Sequence, residues 1–159
     1  MKKTEQPRIL IIDDQESIRK SLKLALEREG YLADTAENGR EAIRKSKGEF
    51  YNLALVDLRL PDMDGVELLT KIRQTVPEMV KIIITGYPAL ENAIEAVNRG
   101  ANGYIVKPYT MEKLLHKIKE QLQKQQEAKK YSEMKVKEFV ESRIEEIESR
   151  SLSKRSLKN

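Results

Sequence analysis

Three aspartates, a threonine and a lysine close apolar runs in this chain, and as a set they have the chemistry of a phosphoryl-accepting site. Asp13 and Asp14 follow Arg8-Ile9-Leu10-Ile11-Ile12, and Asp57 ends Tyr51-Asn52-Leu53-Ala54-Leu55-Val56. Thr85-Gly86 follows Val80-Lys81-Ile82-Ile83-Ile84, and Lys107-Pro108 follows Gly103-Tyr104-Ile105-Val106. After Asp57 comes Leu58-Arg59-Leu60-Pro61-Asp62-Met63-Asp64-Gly65. An apolar strand that ends on a carboxylate and breaks into such a Pro/Asp/Gly turn points the carboxylate out of the sheet edge. Crowded carboxylates resist ionising together unless a cation joins them. Asp13, Asp14 and Asp57 are hard oxygen ligands, and no Cys or His stands near them in sequence, so Mg²⁺, with Mn²⁺ as alternative, suits them better than zinc. Such an ion neutralises charge in phosphoryl transfer. Lys107 supplies a second cation, Thr85 a neutral donor, and Asp57 a nucleophile.

Taken singly, each stretch has a plainer reading. An Asp-Asp pair after a strand is most often a helix cap, Asp57 can open an Asx turn, and Thr85-Gly86 can be only a turn. Lys-Pro after a strand says little, and the Lys107-Pro108 bond is left open between cis and trans. The signals gain weight jointly, because each ends a different strand.

The strands must therefore share one sheet. Ile18, Leu22, Ala25 and Leu26 recur at helical spacing up to Gly30; Tyr31 to Thr35 is a short strand; Asn38 is placed to cap a helix carrying Ala42 and Ile43. Leu53 to Val56 is the third strand, and Leu69, Ile72 and Val76 form a helical stripe that stops at Pro77. Val80 to Ile84, a helix with Leu90, Ala93, Ile94 and Val97 ending at Gly100, the strand Gly103 to Val106, and a helix opened by Leu114, Leu115, Ile118 and Leu122 complete five β-α repeats. This alternation predicts a flavodoxin-like, doubly wound parallel sheet with helices on both faces, in the order 2-1-3-4-5. Ligands in such sheets sit beyond the carboxyl ends of the strands at the switch point, here between the first and third strands, which end on Asp13-Asp14 and on Asp57.

Residues 1–7 read as an N-terminal arm, 8–122 as the domain, 123–150 as a helical extension and 151–159 as a disordered tail. In the extension, Val136, Phe139, Val140, Ile144 and Ile147 restore an apolar stripe after a stretch without one. An isolated helix of this kind is marginal in water, so the stripe predicts a packing partner, the domain itself, a second copy or another protein, with a coiled-coil dimer as the preferred form and a solvated helical linker as the plainer reading.

Composition narrows the function further. The 159 residues suit one domain with length to spare. The absence of Cys excludes a disulfide framework and fits a reducing cytosol. No apolar run approaches the ~20 residues of a membrane span, and Met1 to Pro7 leads into a strand rather than a signal-peptide core, so a soluble cytoplasmic protein with no membrane partner is expected. From Glu112 onward there are 13 Lys/Arg against 9 Glu, whereas residues 1–111 balance at 17 and 17, so the net charge of +4 lies in the C-terminal third. Mixed charge on a helix reads as a solvated face, and without interleaved aromatics or a helix-turn-helix pattern nucleic-acid binding is not expected.

The chain resembles the receiver domain of response regulators in two-component signalling. The resemblance is carried by Ile11-Ile12-Asp13-Asp14, Val56 to Gly65, Ile84-Thr85-Gly86-Tyr87, Gly100 to Tyr104 and Val106-Lys107-Pro108-Tyr109, and spans residues 8–122. The order 2-1-3-4-5 is also that of this family. The resemblance implies that Asp57 takes a phosphoryl group from a sensor histidine kinase or phosphotransfer protein, and that the domain supports its own Mg²⁺-dependent transfer and slow self-dephosphorylation without being a dedicated enzyme. It implies Asp14 as a direct metal ligand with Asp13 beside it, the backbone carbonyl of Arg59 as a further ligand, Lys107 and Thr85 on the phosphoryl oxygens, and Tyr104 as the residue that turns inward when Thr85 moves. Arg59 and Tyr87 would tune phosphate lifetime. A phosphoprotein of this kind signals through the surface of helix 4, strand 5 and helix 5, where a downstream protein or a second copy docks.

Rival readings fit less well. The sequence after the first strand, Asp13-Asp14-Gln15-Glu16, has neither the glycines of a dinucleotide fold nor a P-loop, and Asp57-Leu58-Arg59 lacks the second carboxylate, one residue on, of an aspartyl phosphatase. The remaining alternatives are a receiver-like docking module indifferent to phosphate, or the receiver of a longer regulator.

Overall fold

The computed structural model describes residues 6–86 and 89–157. Tyr87, residues 1–5 of the arm and residues 158–159 of the tail lie outside the described residues. The chain runs β1 (Arg8–Ile12), α1 (Glu16–Arg28), β2 (Leu32–Ala36), α2 (Gly39–Gly48), β3 (Leu53–Asp57), α3 (Gly65–Lys71), β4 (Val80–Thr85), α4 (Leu90–Asn98), β5 (Gly103–Val106) and α5 (Met111–Leu157). All neighbouring strands pair in parallel, in the order β2-β1-β3-β4-β5.

The continuous apolar runs of β1, β3 and β4 follow from burial on both faces of the sheet. On one face Leu10, Ile12, Val56 and Ile83 pack with Ala42 of α2, Leu68 and Leu69 of α3 and Ala96 of α4. On the other, Ile9, Ile11, Leu55 and Ile82 pack with Leu22 and Leu26 of α1 and Leu114 and Ile118 of α5. Each such Leu, Ile or Val side chain stabilises the fold by about 1.5–3 kcal/mol relative to exposure. Gly30 and Gly100 end α1 and α4 at φ 91° and 103°, a left-handed conformation in which other residues are strained. Asn38 caps α2, its side chain accepting the Glu41 N–H at 2.8 Å.

Four local expectations change. β2 begins at Leu32, one residue later than its apolar pattern suggests. α3 stops at Lys71, short of Val76: the Arg73 N–H turns to the Ser46 hydroxyl, and Val76, fully exposed, precedes Pro77, where helical geometry is disfavoured. On α4 the core residue is Ala96, while Ile94 and Val97 are exposed. α5 is one helix to Leu157, so residues 151–157 are helical where the Ser/Lys/Arg-rich sequence suggested disorder; i,i+4 pairs such as Arg150–Glu146 extend the helical pattern. By compactness the chain divides between Gln123 and Lys124. Within the second unit, Val136, Phe139, Val140, Ile144 and Ile147 are all exposed.

Candidate phosphoacceptor site

The register of the sheet brings the chemically active residues to one edge. Ile12 pairs with Val56, so the acid pair and Asp57 leave adjacent strands at the same level. Asp57 pairs with Ile84, one residue before Thr85, and Thr85 pairs with Val106, one residue before Lys107. Four strand ends, all carboxyl-terminal, thus deliver the set predicted from sequence.

Asp13, Asp14 and Asp57 each offer a carboxylate oxygen, and these atoms lie within 4.8 Å of one another. Asp13 is buried, Asp57 half-buried and Asp14 exposed. Lys107 Nζ stands 3.7 Å from Asp13 Oδ2 and 3.8 Å from Asp57 Oδ2, a single cation shared by two carboxylates. Burial raises the Asp57 carboxyl above the usual aspartate range; the Arg59 N–H opposes this, Asp13 adds to it, Lys107 opposes it and Asp14 adds to it. An all-oxygen, all-carboxylate donor set that one ammonium leaves partly uncompensated fits a hard divalent cation.

The acid pair does not cap α1. The N-cap is Gln15, without a side-chain bond, and Asp13 Oδ1 instead accepts the Gln15 N–H at 2.8 Å. Asp57 does make the Asx-type contact of its plainer reading, accepting the Arg59 N–H on Oδ1 at 3.2 Å, which also brings the Arg59 backbone to the carboxylate. The following loop is closed tightly. Gly65 N–H donates to Leu58 O at 2.8 Å, Arg59 bridges Asp64, and a Cβ on Gly65 would sit 2.3 Å from Asp57 O. The Lys107-Pro108 bond is cis.

Thr85 is fully buried at the end of β4. Tyr104 packs against the α2–α3–α4 side of the core, and its hydroxyl is buried with no hydrogen-bond partner among the described residues. Sequence reasoning missed Arg19. Its side chain, largely buried, donates to the Asp13 carbonyl at 2.8 Å and stands 4.0 Å from Glu37, so it braces the acid pair from α1. The only signal was a cation on the second turn of the helix after the pair. Tyr109 was read only as part of the Lys-Pro-Tyr motif; burial, and secondarily Asp13, raise its phenol, which marks it as a neighbour of the acids.

The fold and the site define a doubly wound α/β protein with an acidic, cation-braced crevice at its switch point. A family model described as the response regulator receiver domain matches residues 9–119, and the chain belongs to that family. Among solved structures, a CheY-like response regulator receiver domain protein from Methanospirillum hungatei JF-1 is 47% identical with a TM-score of 0.75, covering 78% of this chain and 99% of that one. A response regulator from Burkholderia pseudomallei, described with a phosphorylated aspartic acid and a calcium ion, is 32% identical with a TM-score of 0.64, covering 69% of this chain and 65% of that one. The transcriptional regulatory protein ResD of Bacillus subtilis is 37% identical over 119 residues, 75% of this chain and 49% of ResD. The chain thus spans about half the length of that curated relative. Among the described residues, no helix is long and apolar enough to cross a membrane.

Proposed function

We propose that this receiver domain is switched by phosphorylation of Asp57, with a sensor histidine kinase or phosphotransfer protein as donor and the cytoplasm as the place of reaction. The carrying observation is the meeting of Asp13, Asp14 and Asp57 within 4.8 Å, with Lys107 against two of the three. An Asp57 carboxylate oxygen attacks the phosphorus of the phosphohistidine; the P–N bond breaks, an acyl phosphate O–P bond forms, and the imidazole leaves and takes up a proton. Asp13, Asp14, Asp57 and the Arg59 carbonyl would hold Mg²⁺ or Mn²⁺, which when bound supplies charge neutralisation for the incoming phosphoryl oxygens. Lys107 exchanges its contact with the carboxylates for one with a phosphoryl oxygen, and the Thr85 hydroxyl donates to another. Tyr104, already against the core with an unsatisfied hydroxyl, is the element biased by that movement, and Arg59 and Tyr87 tune the lifetime of the phosphate. The readout surface is α4, β5 and α5, where Ile94, Val97 and Val106 are exposed. The phosphorylated aspartate and calcium of the Burkholderia relative support the same chemistry here.

The exposed stripe of Val136, Phe139, Val140, Ile144 and Ile147 favours a second element of the reading, a homodimer through residues 132–150. Labelling with radioactive acetyl phosphate and Mg²⁺ tests the switch. The wild type takes up label and Asp57→Asn takes up none; equal labelling would overturn Asp57 as the acceptor.

A further inference from the structure

The loop that follows Asp57 is tied to an element that makes no other part of the site. The side chain of Asp62 spans the start of α2: Oδ1 accepts the Gly39 N–H at 2.8 Å and Oδ2 the Arg40 N–H at 3.0 Å. Asn38 already serves this helix end, taking the Glu41 N–H on its side chain and the Ala42 N–H on its carbonyl. Three of the helix's orphan donors, the N–H groups of Gly39, Arg40 and Glu41, are therefore satisfied, two of them by a carboxylate from a distant loop. Met63 closes the same junction. A Cβ on Gly39 would lie 2.4 Å from its sulfur, so any side chain at 39 would have to displace the Met63 side chain. At the loop's other edge, Gly65 and Asp64 pin it to Leu58 and Arg59. Asp62 is itself solvent-exposed, so its value does not lie in core packing.

We propose that Asp62 is a positioning residue: by clamping the loop to α2 it holds the Arg59 backbone where a divalent cation bound by the aspartates would meet it. The proposal rests on the phosphoacceptor reading above. A carboxylate that accepts two backbone N–H groups in a forked geometry fixes the loop in rotation as well as distance, which a single bond cannot do. Partners one shell removed from a metal set its affinity by orienting the direct ligands.

The test is Mg²⁺ titration by calorimetry, with thermal melts, on the wild type, Asp62→Ala, Asp62→Asn and Asn38→Ala. Asp62→Ala weakens Mg²⁺ binding on the order of tenfold, the lower end for losing such an outer partner. Asp62→Asn, which keeps one acceptor, falls between it and the wild type. Asn38→Ala, which removes a cap from the same helix end without touching the loop, lowers the melting temperature and leaves the Mg²⁺ affinity unchanged. If Asp62→Ala melts lower but binds Mg²⁺ like the wild type, Asp62 is only a helix cap and the proposal is overturned. Should Asp62→Ala fail to fold, wild-type affinity in Asp62→Asn overturns it equally. A wild type that binds no Mg²⁺ removes the phosphoacceptor reading and this inference together; wild-type binding in the Asp62 variants removes the inference alone.

Discussion

At the scale of the residue, the site is a place where charge is held against its preference. The folded-state pKa of Asp57 lies above its unfolded value, first through burial. The folded state therefore holds this proton more tightly than the unfolded chain, so the group's contribution falls as pH rises through the interval between the two values, and the ionised carboxylate is a net cost above both. Asp57→Asn should accordingly raise the urea midpoint at neutral pH and lose that advantage in acid. Adding Mg²⁺ should narrow the difference, because at about ten times its Kd a ligand stabilises the protein that binds it by ~1.4 kcal/mol. Tyr104 offers a second residue-scale test. Its buried hydroxyl has no partner among the described residues, and an unmet buried polar group costs about 1–3 kcal/mol. Tyr104→Phe should stabilise the unphosphorylated domain by roughly 1 kcal/mol in chemical denaturation, with labelling of Asp57 retained.

At the scale of the element, the β3–α3 connection shows how tightly the acceptor is built into the backbone. A methyl group on Gly65 would meet Asp57 O at 2.3 Å and Leu58 Cα at 2.9 Å, both main-chain atoms that cannot swing aside. Gly65→Ala should cost about 2 kcal/mol or more in urea denaturation and slow labelling of Asp57 with it. The elements also show which sequence patterns carried information. β1, β3 and β4 were legible because their continuous apolar runs are buried on both faces of the sheet. The α4 stripe was misleading: Ile94 and Val97 have helical spacing, yet small Ala96 is what the close approach to the sheet admits. α3 was overextended because Val76 continues the period numerically, whereas Arg73 finds its partner on α2.

At the scale of the whole molecule, the division after Gln123 separates a unit with two core layers from a helical one with an exposed stripe. A chain ending at Gln123 should melt within a few degrees of the full-length chain; a large fall would show that the extension stabilises the domain. Light scattering should find the full chain dimeric and the shortened chain monomeric, and a monomeric full chain would remove the second-copy reading. The residues that meet at the sheet edge were legible from sequence because each one terminates an apolar strand. Their neighbours were not: Arg19 and Asp62 act on backbone groups of Asp13, Gly39 and Arg40, and such contacts leave no pattern in residue spacing.

The sequence by itself determined the alternation of strands and helices, the parallel sheet and the identity of the acidic set, since hydrophobic periodicity and residue chemistry are local properties. Only the tertiary structure decided that Asp13 and Asp57 share one ammonium, that Tyr104 sits inward with its hydroxyl unmet, and that the loop after Asp57 is fastened to α2. Those depend on distances between strand ends and on the close backbone approach at Gly65, which no one-dimensional pattern encodes.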